Sequence, residues 1–199
     1  MSDSPMIWTI GHSNHTAARL VELLQGQAIG VVADLRTSPY SRYSTQFNKD
    51  QLQRALESQG IRYVYLGVAL GGRPSDSSMY DADGRVRYDR VSAGPEYLGA
   101  VERLLRGAEE YRIALLCGEE DPISCHRRRL VGRTLREGGV TLAHIRGNGG
   151  VTTEAELEER EATEFPERFQ LTLDGPPPWR SEHPVKRAER PEGDEWTES

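Results

Sequence analysis

The two cysteines of the chain, Cys117 and Cys125, lie in "LLCGEEDPISCHRRRL" (residues 115–130), together with Glu119, His126 and Arg127. A thiol at a helix start faces unpaired backbone N–H groups and the positive end of the helix dipole. His126 and the arginines that follow add positive charge, so this position favours thiolate, the form that attacks electrophiles or binds metal. Cys125 is therefore the expected nucleophile or redox thiol, with His126 beside it for proton transfer. The competing reading is a small buried cysteine at a helix start. Cys117 ends an apolar run and reads as a core residue, unless it lies close to Cys125. It would then serve as a resolving thiol or a second ligand.

Other chemistry-bearing residues follow apolar runs. "TIGHSN" (9–14) places His12 and Ser13 after one such run. His12 is either a general base near neutral pH or a turn histidine bonded to backbone. Asp34 and Arg36, two apart on a strand, share a face. They form a salt bridge, or Asp34 orients His12 or a substrate hydroxyl while Arg36 grips an anion. Glu119 is a proton donor or acceptor, or a solvated loop acid. Gly71 and Gly72 give a tight turn and close ligand approach. They lack the spacing of a dinucleotide fingerprint, so no NAD or ATP site and no cofactor is expected. Cys117, Cys125, His126 and His12 offer the soft ligands of a zinc site. There is no C-x-x-C, however, and adjacent Cys and His seldom aim at one ion, so no metal is assigned. "CGEEDPIS" carries three acids and suits no phosphate-cradling loop.

The elements that must position these residues repeat one rhythm of apolar run, polar loop and amphipathic stretch. Strands are expected at 6–10, 29–35, 61–67, 111–117 and 140–145, and helices at 16–25, 49–59, 95–110 and 125–138. Asn48 is placed to open a helix, Gly60 to stop it, and Pro95 to occupy a first turn. Strands without a polar face, alternating with helices, imply a mainly parallel sheet covered on both sides. The expectation is a three-layer α/β/α sandwich, Rossmann-like, with five strands, forming a single domain over residues 1–150. In such sheets ligands bind beyond the carboxyl ends of the strands, where His12, Asp34, Arg36 and Cys117 fall. Two long connections, 36–48 and 68–94, are functional or disordered.

Charge divides the chain. Residues 151–199 carry 14 acids and 6 bases, while residues 1–150 carry 17 acids and 19 bases, giving the overall −6. The body is rich in arginine, whose planar fork suits carboxylate and phosphate, although a genome rich in G and C biases usage the same way. "TEAELEEREA" suits a helix, whereas "DGPPPWRSEHPVKRAERPEGDEWTES" is proline-rich and charged, so 151–199 reads as an acidic, partly disordered extension. No stretch approaches the roughly 18 apolar residues of a membrane span. The N-terminus lacks a secretory pattern, and two cysteines make no disulfide framework, so the expected setting is cytoplasmic.

Taken together, "TIGHSN", "DLRTSPYSR", "FNKDQLQRAL", "LGG", "LLCGEEDPISCHR" and a terminal "HI" resemble the family called domain of unknown function 488. The similarity covers about residues 7–146. It picks out Gly11, His12, Ser13, Asp34, Arg36, Pro39, Ser41, Phe47, Gly71, Gly72, Cys117, Glu119, Cys125, His126 and Arg127. Leu35 stands where the family often has valine. The resemblance implies an α/β fold with the functional site at the strand ends, and no particular reaction.

The expected function is a cytosolic enzyme using Cys125, with His126 or His12 moving protons and Glu119 and Asp34 orienting. Arg36, Arg42 and Arg127, with Ser13, Ser41, Gly71 and Gly72, would hold an anionic substrate such as a nucleotide or nucleic acid. "SPYSRYSTQF" interleaves Arg with Tyr and Phe, which suits base stacking beside phosphate contacts. The rivals are a non-catalytic nucleotide or nucleic-acid binding module with structural cysteines, and a metal-dependent hydrolase.

Overall fold

The protein is described here by a computed structural model that covers residues 5–169 and 178–188. Its chain order is β1 Met6–Gly11, α1 Ala17–Gly26, β2 Val31–Asp34, α2 Lys49–Glu57 and β3 Arg62–Tyr65. Then come the single turns α3 Gly67–Leu70 and α4 Tyr88–Val91, followed by α5 Pro95–Glu110 and β4 Ile113–Cys117. A π-helical stretch Arg127–Gly132 continues into α6 Arg133–Glu137, and β5 Thr141–Ile145, β6 Val151–Thr153 and α7 Glu154–Glu164 follow.

The strands form one sheet in the order β3-β2-β4-β1-β5-β6, with every pairing parallel except the antiparallel β5–β6. Side chains alternate across these buried strands, so each face has its own apolar layer. Trp8, Ile10, Val32, Ala114 and Leu116 pack with Leu20 and Leu24 of α1 and Leu52 and Leu56 of α2. On the other face, Ile7, Ala33 and Leu115 pack with Tyr97, Ala100 and Leu104 of α5 and with Leu130 and Leu135. The three-layer α/β/α sandwich expected from the sequence is present, with six strands rather than five. The sixth lies just past residue 150 and is three residues long.

Local chemistry explains the element ends. The Thr16 hydroxyl accepts the Arg19 amide at the start of α1, and Thr153 and Glu156 form a reciprocal capping box at the start of α7. Asn48 precedes α2 without a side-chain cap; its side chain instead accepts the Ser41 amide at 2.6 Å and braces the preceding loop. The single helix expected over 125–138 is divided, π-helical first and α-helical after Gly132. A Cβ on Gly132 would stand 3.0 Å from Leu142 Cδ1 and 3.1 Å from Arg127 O, so the widened turn is packed hard against β5. Such π-turns favour functional sites.

Residues beyond 150 are bound to the body. Leu157 of α7 is fully buried, and Glu154 and Glu161 pair with Arg128 at 2.7 and 2.5 Å. Of the proline-rich stretch expected to be disordered, residues 178–188 lie along the 81–90 region. Ser181 N donates to Val86 O, Val86 N to Ser181 Oγ, and Trp179 Nε1 to Arg129 O. The remainder of that expectation, at 174–177 and 189–199, lies outside the described residues.

Candidate functional site

The parallel register of β2, β4 and β1 sets the site. Beyond the last ladder positions the hydrogen bonds continue: His12 N donates to Cys117 O, Ser13 N to Gly118 O, and Leu35 N to Leu116 O. The exits of three neighbouring strands are thereby tied side by side. They open into a cleft of ≈ 390 Å³ whose walls include His12, Arg36, Cys117, Glu119 and His126. Gly11 makes this closure possible, because a Cβ there would fall 1.8 Å from Glu119 O.

At the foot of the cleft, Cys117 Sγ lies 3.6 Å and Cys125 Sγ 4.0 Å from His126 Nδ1. The other ring nitrogen, Nε2, donates to Leu35 O at 3.2 Å, which aims Nδ1 at the sulfurs. The ring is backed by Gly72, where a Cβ would be 2.8 Å from His126 Cγ. Glu119 completes the group: one ligand atom each from Cys117, Glu119, Cys125 and His126 lies within 4.8 Å of every other. The adjacent Cys125 and His126 do converge on one point, contrary to the sequence expectation. These four are the residues that could hold a metal ion.

The sulfurs are not equivalent. A hydrogen bond from Cys125 lowers the Cys117 thiol well below its ordinary value against the opposing effect of burial, helped by the charges of His126 and Arg127. Burial, and the hydrogen bond given to Cys117, push the Cys125 thiol well up. The two thiols are thus shifted in opposite directions; Cys117 lines the cleft, whereas Cys125 is fully buried. Burial pulls His126 down, but the Cys117 charge and hydrogen bond outweigh it and the net shift is upward.

His12 stands across the cleft, stacked on Phe47 with ring centroids 4.3 Å apart. Its Nδ1 donates to Ser13 O at 2.9 Å, leaving Nε2 as the basic nitrogen. Burial lowers its pKa, more than the Ser13 carbonyl raises it. A neutral imidazole at physiological pH is what a general base requires.

Asp34 does not reach His12. It is fully buried beneath Arg36, whose Nε and Nη2 donate to it at 2.9 and 2.5 Å while Nη1 donates to Phe47 O at 2.8 Å. Tyr63 Oη donates to the same carboxylate at 2.7 Å. The salt-bridge alternative holds here, and it fixes the Phe47 platform under His12. Arg127 is corrected more sharply. It is 1% exposed, donating Nε to Thr9 Oγ1 at 3.3 Å and its two Nη groups to Glu119 O and Glu120 O. Its fork braces the 118–120 loop from below and cannot touch a substrate.

The remaining expected contacts divide. Ser41 lines the cleft, its Oγ accepting the Tyr43 and Ser44 amides. Arg42 is exposed over the Tyr43 ring, centroid distance 5.8 Å. Ser13 has a left-handed backbone (φ 46°) and its hydroxyl turns to Asn14, so it serves the turn instead of the cleft. Gly71 packs against Gly67 O and Thr37 Oγ1, each 2.2 Å from where a Cβ would sit, and Gly72 lines the cleft. Sequence reasoning passed over Arg73, which lines the cleft directly after the two glycines, and Ser181–Val185, which supply a wall from the C-terminal stretch. The glycine pair was a usable signal for Arg73. Nothing local in the sequence marks the wall.

Fold and cleft define an α/β protein with a cysteine–histidine site at the carboxyl edge of a parallel sheet. The family model described as "Domain of unknown function DUF488" matches residues 16–134, and the chain belongs to that family. No curated protein and no solved structure matches it. Among the described residues no helix is long and apolar enough to cross a membrane.

Proposed function

We propose that the chain is a cytoplasmic cysteine/histidine-dependent enzyme acting on a small anionic substrate, of the size of a nucleotide. One observation carries this: His12 after β1, Cys117 and Glu119 at the end of β4, and His126 ahead of the π-helical stretch come from three segments and line one cleft. Cys117 and His126 form the reactive centre, His12 carries the proton, and Glu119 is the acid at the mouth. Arg73, exposed at the rim, is the cation best placed for the anion, since Arg36 is committed to Asp34. A cleft of ≈ 390 Å³ suits a ligand buried on most sides.

The rival reading as a nucleic-acid binding module has one observation behind it: Tyr40 and Tyr43 are 55% and 89% exposed, beside Arg42. A panel of nucleotides and other small phosphates and carboxylates, assayed for melting shifts and then for turnover, separates the two. The enzyme reading expects a panel member that stabilises both wild type and Cys117→Ser but is consumed by wild type alone. Binding to single-stranded nucleic acid that falls steeply with salt and is indifferent to Cys117→Ser, with no turnover, would overturn it.

A further inference from the structure

We infer that Cys117, Cys125 and His126 hold one zinc-class divalent ion at the foot of the cleft, with Glu119 at the fourth corner. This rests on the proposal that the cleft is a reactive centre, and it names the cofactor of that centre.

The first support is metric. With Zn–S near 2.3 Å and Zn–N near 2.0–2.1 Å, a tetrahedral ion places sulfur and nitrogen about 3.5 Å apart. Cys117 Sγ and Cys125 Sγ stand 3.6 and 4.0 Å from His126 Nδ1, and all four ligand atoms lie within 4.8 Å of one another. The two sulfur–nitrogen distances exceed the tetrahedral value by only about 0.1 and 0.5 Å.

Orientation is the second support. A histidine that ligates through one ring nitrogen almost always donates the other to a carbonyl or carboxylate, which fixes tautomer and ring angle. His126 gives Nε2–H to Leu35 O, and Gly72 closes behind the ring. The imidazole is therefore held in the pose a ligand needs, with Nδ1 turned to the sulfurs.

Charge is the third. Two thiolates and a carboxylate around a divalent ion leave one net negative charge. The buried Arg127 guanidinium, tied to the carbonyls of Glu119 and Glu120, lies beneath the same loop and supplies the counter-charge. Thiolate and imidazole select zinc-like ions over magnesium or calcium. Three inner ligands are buried or half-buried, while Glu119 is exposed toward the cleft, so the fourth position is the one that water or substrate can take. With Glu119 displaced by water or substrate, the three inner ligands match the three-ligand pattern of catalytic zinc sites.

The test uses the full chain, stripped with a chelator and titrated with Co²⁺, then Zn²⁺. The expected result is one ion per chain, with a thiolate-to-cobalt charge-transfer absorption that Zn²⁺ displaces. Zn²⁺ should also shield both cysteines of the wild type from alkylation. Cys125→Ser should weaken binding beyond the roughly 10–100-fold cost of losing an outer-shell partner. Glu119→Gln, at an exposed position where folding is safe, should keep the sulfur-to-cobalt absorption but weaken affinity. Absence of that absorption, with alkylation of the wild type indifferent to Zn²⁺, overturns the inference. If Cys117→Ser still abolishes turnover in that case, the ion is refuted and the enzyme survives. If the ion binds and nothing in the anion panel is consumed, the ion stands and the enzyme reading fails.

Discussion

Arg127→Met separates a structural arginine from a substrate-binding one. The side chain is almost wholly buried and its fork reaches three acceptors on two elements: Thr9 Oγ1 of β1 and the carbonyls of Glu119 and Glu120. Hydrogen bonds from a charged donor contribute about 1.5–3 kcal/mol each, and an acceptor left buried without a partner costs about 1–3 kcal/mol. Methionine recovers part of the packing, so the net loss should be about 3–5 kcal/mol. That is at least about a fifth of a typical domain stability of about 5–15 kcal/mol. With a urea slope near 2 kcal/mol per molar, the midpoint should fall by roughly 2 M. The chain's three tryptophans give a fluorescence signal for the transition. Arg127→Lys should lose nearly as much, because one ammonium cannot span the three acceptors. A loss under about 1 kcal/mol, with ligand affinity reduced instead, would refute the bracing role.

Two further outcomes follow from the packing. Gly72→Ala should displace the His126 ring, since a Cβ there falls 2.8 Å from its Cγ; we expect Zn²⁺ affinity to drop about tenfold or more with the urea midpoint moving by less than 0.5 M, on the scale of an outer-shell change. Unchanged affinity would show that Gly72 does not set the ring. The second concerns acid. His144 Nε2 meets Glu154 at 2.8 Å and its Nδ1 meets Thr9 Oγ1 at 2.8 Å, with Arg127 and Arg128 nearby. Burial lowers His144 below its ordinary 6.5 despite Glu154, so the unfolded chain takes up this proton first. Burial raises Glu154, but the His144 hydrogen bond and Arg128 outweigh it and the net shift is downward. For this pair both signs agree: its contribution is complete above pH 6.5, begins to fall as His144 protonates in the unfolded chain, and falls further as pH drops below the ordinary carboxylate range, whereas His126, shifted upward, acts in the opposite sense. Melting curves between pH 8 and 4 should show this as a difference, with wild type losing more stability than His144→Gln between pH 7 and 5.5; equal changes in the two proteins would contradict it.

The layers of the fold were legible because buried parallel strands are continuous apolar runs and the helices carry one apolar face. Val31–Asp34 and Ile113–Cys117 are fully buried along their length, as their composition requires. β6 was not legible: three residues with a threonine pair show no period, and antiparallel pairing to β5 decides their state. The wall at 181–185 was hidden for a related reason. Its proline-rich, charged composition describes a chain without a core of its own, whereas its order comes from Trp179 and Ser181 bonding to the body. The His12, Cys117 and His126 cluster could be foreseen from strand exits alone. Which sulfur faces the cleft could not, because it depends on depth: Cys117 lines the cleft and Cys125 is fully buried.

Successive residues at the π-turn explain why this segment resisted a local reading. Cys125 points into the floor, His126 into the cleft, and Arg127 back beneath β1 and the 118–120 loop. Arg128 then leaves on the opposite side to meet Glu154 and Glu161 of α7. A sequence of one cysteine, one histidine and three arginines suggests a single cationic patch. Its first two arginines are instead buried in separate places, Arg127 on neutral acceptors and Arg128 on two carboxylates, and Arg129 pairs with Glu161 at 3.2 Å. The wider turn ahead of Gly132 permits this dispersal while the helix stays packed on β5. Cys125 and His126 themselves precede the π-turn, and the bond from His126 Nε2 to Leu35 O is what turns Nδ1 toward the two sulfurs.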